Sequence, residues 1–194
     1  MSEVLSRHCF SVLVDNEPGV LARIVGLFSG RGYNIDSLTV DEIISNSEGR
    51  LSRITIVSTG TPMIIDQIKA QLSRLIPVRQ VINLTRQGKF VESSVAFIKL
   101  IADAKQRSEA TRVAEKAGAS IADITDNAII FSLTTTSDRI DVLTEQLRAL
   151  GTIELARTGI VAMACGEAML TLTTPPQNYV TATCRLSSNT SDKG

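Results

Sequence analysis

Asp15-Asn16-Glu17-Pro18-Gly19-Val20-Leu21 and Gly32-Tyr33-Asn34-Ile35-Asp36 are the stretches on which the fold turns. The first sits where a strand ends and a helix begins. Residues 8–14, His-Cys-Phe-Ser-Val-Leu-Val, are rich in β-branched and apolar types and read as that strand. Pro18 suits the first turn of the helix, where a missing N–H costs nothing. Val20, Leu21, Ile24, Val25, Leu27 and Phe28 then recur at helical spacing. Gly30 and Gly32 close the helix. Residues 33–42 read as a second strand, whose alternation breaks near Asp36-Ser37 in the manner of a bulge.

Working outward, Ser45-Asn46-Ser47-Glu48-Gly49 is a polar loop and residues 51–58 are a third strand. Thr61-Pro62 opens a helix with Ile64, Ile65, Ile68, Leu72, Leu75 and Ile76 on one face, and Pro77 stops it. Residues 78–85 are a fourth strand. The order β-α-β-β-α-β is the ferredoxin-like split βαβ. The same order then returns. Residues 95–102 are a strand, and Ala110, Val113, Ala114 and Ala117 form a helical stripe closed by Gly118. Residues 121–125 and 128–134 make a hairpin around Asp126-Asn127. Ser137 caps a helix that carries Ile140, Leu143, Leu147 and Leu150 and closes at Gly151. Residues 152–164 are the last strand. The expected organisation is α+β, with one unit over residues 1–86 and a second over 87–170, joined near Gln87-Gly88-Lys89. A four-stranded sheet with both helices on one face leaves its other face open, and dimerisation is the usual remedy. Residues 171–194 are rich in Thr, Ser, Pro and Asn and are expected to form a mobile tail, with a short strand at 179–184 as the one element in it.

Composition removes several classes of function. Lys+Arg and Asp+Glu balance at 20 each over 194 residues, so the chain lacks the basic face of an electrostatic nucleic-acid binder. Aromatic residues are 4% and Trp is absent, which leaves no stacking platform for bases and requires aliphatic cores. Cys9, Cys165 and Cys184 lie far apart without metal-type spacing and read as reduced thiols. No apolar run approaches the roughly 18 residues of a membrane helix, and residues 1–8 lack an apolar core, so neither a membrane nor a signal peptide is expected.

Catalytic chemistry is hard to find. The one histidine, His8, neighbours Cys9 on a strand, where adjacent side chains point to opposite faces, so the two form no dyad. Gly30-Arg31-Gly32 closes a helix instead of opening one, which removes a dinucleotide fingerprint. Arg50, Arg53, Arg79 and Arg86 are read as a solvated sheet edge. By spacing alone the Asn16–Gly19 turn is more often structural than functional, since Asn, Pro and Gly are ordinary turn residues. Two features favour a ligand site. Asn16 offers both donor and acceptor, and Gly19 allows close approach where helix N–H groups point outward.

The run F-S-V-L-V-D-N-E-P-G-V-L-A-R-I-V-G-L-F-S-G-R-G-Y-N-I-D-S-L-T-V from Phe10 to Val40 resembles the ACT domain of the small, regulatory subunits of acetohydroxyacid synthase, also called acetolactate synthase. L-S-R-I-T-I-V from Leu51 to Val57 continues the resemblance, and E-L-A-R-T-G-I-V-A-M from Glu154 to Met163 is similar to the C-terminal domain of that family. The resemblance covers residues 8–165. It implies a non-catalytic subunit without a cofactor of its own. The partner would be a catalytic large subunit carrying thiamine diphosphate, Mg²⁺ and FAD. The small subunit would activate that enzyme and confer feedback inhibition by valine, or by leucine or isoleucine. The effector would lie between two ACT domains, so a homodimer is implied, and the positions carried over are Asn16, Gly19, Val20, Leu21, Asn34 and Ile35. Residues 1–86 would then be the effector-binding ACT domain. The second unit, with Asp103-Ala104-Lys105-Gln106-Arg107 at its first connection, has no such turn and is not assigned effector binding. The setting would be the cytoplasm. The alternative is a free-standing ACT-type amino-acid sensor acting on another target, and a third reading is an enzyme with an unrecognised cofactor. A pocket of this kind tells Val, Leu and Ile apart imperfectly, because one methylene is worth about 1–3 kcal/mol.

Overall fold

The structure, a computed structural model, describes residues 4–44, 50–167 and 169–170. The expected loop 45–49 and the expected tail 171–194, with its strand at 179–184, lie outside the described residues. The chain runs β1 (Ser6–Asp15), α1 (Val20–Arg31), β2 (Ser37–Ile44), β3 (Arg50–Gly60), α2 (Pro62–Leu72) and β4 (Val78–Asn83). A short α3 (Leu84–Gln87) follows, then β5 (Phe90–Ile101), α4 (Ala104–Lys116), β6 (Ser120–Ile124), β7 (Ala128–Thr135), α5 (Ser137–Arg148), β8 (Thr152–Arg157) and β9 (Val161–Ala164). Two antiparallel sheets result, ordered β2-β3-β1-β4 and β6-β7-β5-β8, with β9 also on β5. The architecture is α+β with the ferredoxin-like order used twice.

Alternation and helical spacing build each core. Phe10, Val12 and Val14 of β1 and Ile54 and Ile56 of β3 face Val20, Ile24 and Phe28 of α1 and Ile65, Ile68 and Leu72 of α2. Burying one such large side chain is worth about 1.5–3 kcal/mol. The second core repeats the plan with Ile98 and Leu100 of β5, Phe131 of β7, Ala114 of α4 and Leu143 and Leu147 of α5.

Several sequence expectations are corrected. Pro18 stands before α1, not in its first turn. Glu17-Pro18-Gly19-Val20 is a turn closed by Val20 N–H to the Glu17 carbonyl at 3.3 Å. Gly19 at φ 84°, ψ −3° has the dihedrals that the third position of a type II turn requires. No bulge occurs at Asp36-Ser37, since β2 pairs β3 in unbroken register from Ser37 opposite Val57 to Ile44 opposite Arg50. The alternation breaks there because residues 33–36 are a connection, from which Tyr33 and Ile35 both pack onto the core. The second helix ends at Leu72, and Ile76 is 92% exposed instead of sharing its buried face. Thr136, not Ser137, is the N-cap of α5.

The expected single strand 152–164 is two. β8 pairs the C-terminal half of β5, from Ala96 to Ile101, and β9 pairs its N-terminal end, from Phe90 to Ser93. The break falls where the chain meets the other unit. A Cβ on Gly159 would stand 2.4 Å from the Leu38 carbonyl oxygen and 2.4 Å from Thr39 Oγ1. Beside it, Ile160 N–H donates to Ser37 Oγ at 2.8 Å. The far face of the first sheet is therefore not left open along its whole length. Cys9 and Val57 are covered there by Leu84, Ile160 and Ala162. Arg7 and Glu92 bridge the units with two bonds of 2.9 and 3.1 Å. His8 is buried and satisfied, with one ring nitrogen 3.0 Å from Ser6 Oγ and the other beside the Asn83 amide.

Candidate effector site

The type II turn delivers the chain into α1 with no side chain capping the helix. The first-turn N–H groups of a helix have no intrahelical partner, and they carry its positive dipole end. Apart from its two chain neighbours, nothing lies within 4 Å of the place a Cβ on Gly19 would occupy, so the approach to this end is open. Val20 is buried in the core, whereas Leu21 is 41% exposed beside the turn. Asn16 is fixed by its N–H, which donates to the Arg50 carbonyl at 2.8 Å. The Arg50 side chain grips the Glu42 carboxylate with bonds of 2.6 and 2.8 Å. The Arg50 guanidinium is the main reason that the Glu42 carboxyl sits below its usual range.

The second stretch is anchored from several sides. Phe28 and Tyr33 meet edge to face at 6.1 Å, and the Tyr33 hydroxyl donates to Gln67 of α2. Ser58 Oγ donates to the Asn34 carbonyl at 2.6 Å. The Asn34 amide donates to Asp36 Oδ1 at 2.5 Å, and Asp36 Oδ2 accepts from Thr59 at 2.7 Å. Ile35 is half-buried against the core, so only part of it is available to a ligand.

A single chain does not bring the two stretches together. β1 and β2 both run antiparallel to β3, hence parallel to each other, so the end of β1 and the start of β2 lie at opposite ends of the sheet. Asn16 is tied to Arg50 and Asn34 to Ser58, eight residues apart on one strand, which at about 3.3 Å per residue is roughly 26 Å. Two shallow depressions on the described surface belong to the second unit. One is bounded by Val113, Arg139 and Leu143, the other by Phe97, Lys99 and Glu154, and neither touches the six candidate residues. The edge strand β2 and the outer side of α1 carry exposed apolar residues, Val40 at 41%, Leu21 at 41% and Val25 at 38%.

The sequence reading missed Glu42 and Asp36, and it set Arg50 among solvated edge arginines. No local signal marks Glu42, because its role depends on β2 and β3 being paired. Arg79 and Arg86 do form exposed ion pairs, with Asp15 and Asp66. Arg53 departs from the expected edge. It lies on an inner strand, half-buried, and burial pulls its pKa below the usual guanidinium value.

A family model described as the small subunit-like ACT domain of acetohydroxyacid synthase matches residues 10–80, and one for the small subunit of acetolactate synthase matches residues 93–166. The isozyme 3 small subunit of acetolactate synthase from Salmonella typhimurium is 38% identical over 165 residues, covering 84% of this chain and 99% of its own. The chain belongs to the acetolactate synthase small-subunit family. A probable acetolactate synthase small subunit from Archaeoglobus fulgidus is 38% identical over 161 residues, covering 83% of this chain and 98% of its own. The crystal structure of the acetolactate synthase small subunit from Thermotoga maritima superposes with a TM-score of 0.72 at 32% identity, over 84% of this chain and 99% of that one. Membership carries a regulatory role, a place in branched-chain amino-acid synthesis and a catalytic large subunit as partner. Among the described residues no helix is long and apolar enough to cross a membrane.

Proposed function

We propose that this chain activates the catalytic large subunit of an acetolactate synthase and makes it sensitive to feedback inhibition by a branched-chain amino acid, valine first. The uncapped, open N-terminus of α1 beside Asn16 is the observation that carries the reading. The effector carboxylate meets the N–H groups of Gly19 and Leu21 on either side of Val20, whose own N–H closes the turn on Glu17, and the Asn16 and Asn34 amides hold the rest of its polar head. Because those asparagines are about 26 Å apart in one protomer, the ligand lies between two copies. Antiparallel pairing of two β2 edges about a two-fold axis sets Asn34 of one copy near Asn16 of the other and covers Leu21, Val25 and Val40.

Thiamine diphosphate, Mg²⁺ and FAD belong to the large subunit, and the pair works in the cytoplasm. In this reading the chemistry stays with the large subunit, and valine acts by favouring an arrangement that supports it less well. The coupling is reciprocal, and about 1–3 kcal/mol is typical. Mixing the chain with a candidate large subunit and assaying acetolactate formation with and without valine tests the proposal. The expected result is activation that valine reverses. A free-standing sensor would bind valine and leave the large subunit's rate unchanged.

A further inference from the structure

We infer that the groove between α4 and α5 of the second unit docks the catalytic large subunit, taking from it a segment that carries acidic side chains beside aliphatic ones. The inference rests on the reading that this chain activates such a partner, and it names the surface that makes the contact.

Each helix gives the groove one stripe. Val113, Lys116 and Ala117 stand at i, i+3 and i+4 on α4, and Arg139, Val142 and Leu143 stand likewise on α5. The space between them is about 450 Å³. Its floor is apolar. Leu143 is buried, Val113 and Ala117 are half-buried, and Val142 is 59% exposed. An aliphatic side chain left this open beside an apolar floor gains by being covered. A small molecule on so shallow a surface stays largely in water, whereas a ligand pocket encloses most of its ligand. A protein segment laid along the two stripes has the shape that fits.

Charge decides which segment. Lys116 and Arg139 line the groove and no acid does. Among the described residues neither cation makes an ion pair. Three acids of the same helices are engaged elsewhere, Glu109 with Arg112 at 2.5 Å, Glu145 with Arg148 at 2.5 Å and Asp141 with Arg157 at 2.8 Å. Lys116 is a minor influence on Glu109, behind Arg112. Glu115 and Asp138 are exposed and do not line the groove. Arg139 also breaks a local rule. It stands in the first turn of α5, where a cation opposes the helix dipole. A residue set against the helix that carries it answers a demand from outside that helix. The other depression of this unit has no such surplus, because its Lys99 pairs with Glu154 at 3.1 Å and Asp123 adds a second acid.

The same charges exclude two nearer occupants. A second copy packed on this groove about a two-fold axis sets cations against cations. Residues 171–194 carry Arg185 and Lys193 against Asp192, so that stretch is net positive as well. The large subunit, the partner that family membership implies, is left as the occupant, through an acidic stretch of its surface.

Titrating a candidate large subunit with the full chain and following acetolactate formation tests this. Lys116→Glu/Arg139→Glu is expected to raise the half-saturating concentration of the chain at least about tenfold at low salt, with the melting temperature unchanged because both side chains are exposed. The gap from wild type is expected to close as salt is raised. The charge-keeping variant Lys116→Arg/Arg139→Lys should stay near wild type. Should the reversed variant fold poorly, Val142→Asp gives a second reading at an exposed position, and it is expected to weaken half-saturation about tenfold by setting a carboxylate against an acidic segment. Unchanged half-saturation in a folded variant overturns the inference. Altered self-association of the free chain in sedimentation, with half-saturation unchanged, assigns the groove to a second copy and overturns it too. A wild-type chain that neither binds nor activates the large subunit removes the activation reading and the inference with it.

Discussion

The two units enter their first helices in opposite ways. In the second, Asp103 accepts from Gln106 N–H at 2.8 Å and Gln106 returns a bond to Asp103 N–H at 3.0 Å, a complete capping box. In the first, a type II turn places Gly19 at the cap and no side chain closes the helix. The same fold thus carries one helix end closed by side chains of its own chain and one where only the backbone turn, through Val20 N–H on Glu17, takes part. Site capacity follows from which N–H groups remain unclaimed, and a capped helix end is a poor anion receptor however similar its fold.

The largest effect should come from filling the open end. Gly19→Asp places a carboxylate among the first-turn N–H groups, and Asp tolerates left-handed dihedrals better than most residues. Valine affinity in calorimetry is expected to fall at least about a hundredfold, with activation of the large subunit kept. Undiminished valine sensitivity would remove the α1 end from the site. The next effect tests whether two copies share each site. Mixing Asn16→Ala chains with Asn34→Ala chains should restore about a quarter of the sites, since half the dimers are mixed and each holds one intact site. No recovered binding would place both asparagines in one chain's site, against their separation. A smaller effect is expected at the capped end. Asp103→Ala should cost about 1 kcal/mol in denaturant unfolding and leave the valine response unchanged. A shifted valine response there would mean that the second helix end takes part after all.

The smallest effect belongs to the joint between the units. Cys9 lies under Ile160 and Ala162, and burial, reinforced by Glu92, raises its thiol pKa from 9.0 to about 11. The folded chain holds this proton more tightly than the unfolded one. Its contribution to stability is full below about pH 9 and is lost as pH rises through about 11. Stability measured by urea should therefore fall more between pH 8 and about 10.5 in wild type than in Cys9→Ala. Parallel curves would mean that the thiol is not shielded.

Much of this was legible in residue order. The β-branched and apolar run of residues 8–14 gives β1, which is buried on both faces, and the stripe from Val20 to Phe28 gives α1, which buries one. The repeat of the order gave the second unit in the same way. What local pattern could not give were features made by distant partners. The division of residues 152–164 into β8 and β9 depends on Gly159 meeting Leu38, over a hundred positions away in sequence. The Arg50 carbonyl's hold on the Asn16 N–H needs β1 paired with β3, and Arg50 by itself looks like any surface arginine. The fixed φ of Pro18 suits either a first helical turn or a type II corner, and only the Gly19 dihedrals separate the two.

β5 has a consequence for how the molecule comes apart. Its N-terminal end is zipped to β9, which lies against the first unit, and its C-terminal half runs through the second core. The joint at Gln87-Gly88-Lys89 is thus flanked by a helix and a hydrogen-bonded strand, with Cys165 N–H donating to the Lys89 carbonyl at 3.0 Å. A protease seeking slack chain finds little there, although Arg86 and Lys89 are both tryptic sites. Heating should separate the two halves in one shared transition, because peeling the second unit from the first means tearing a strand that both of them own.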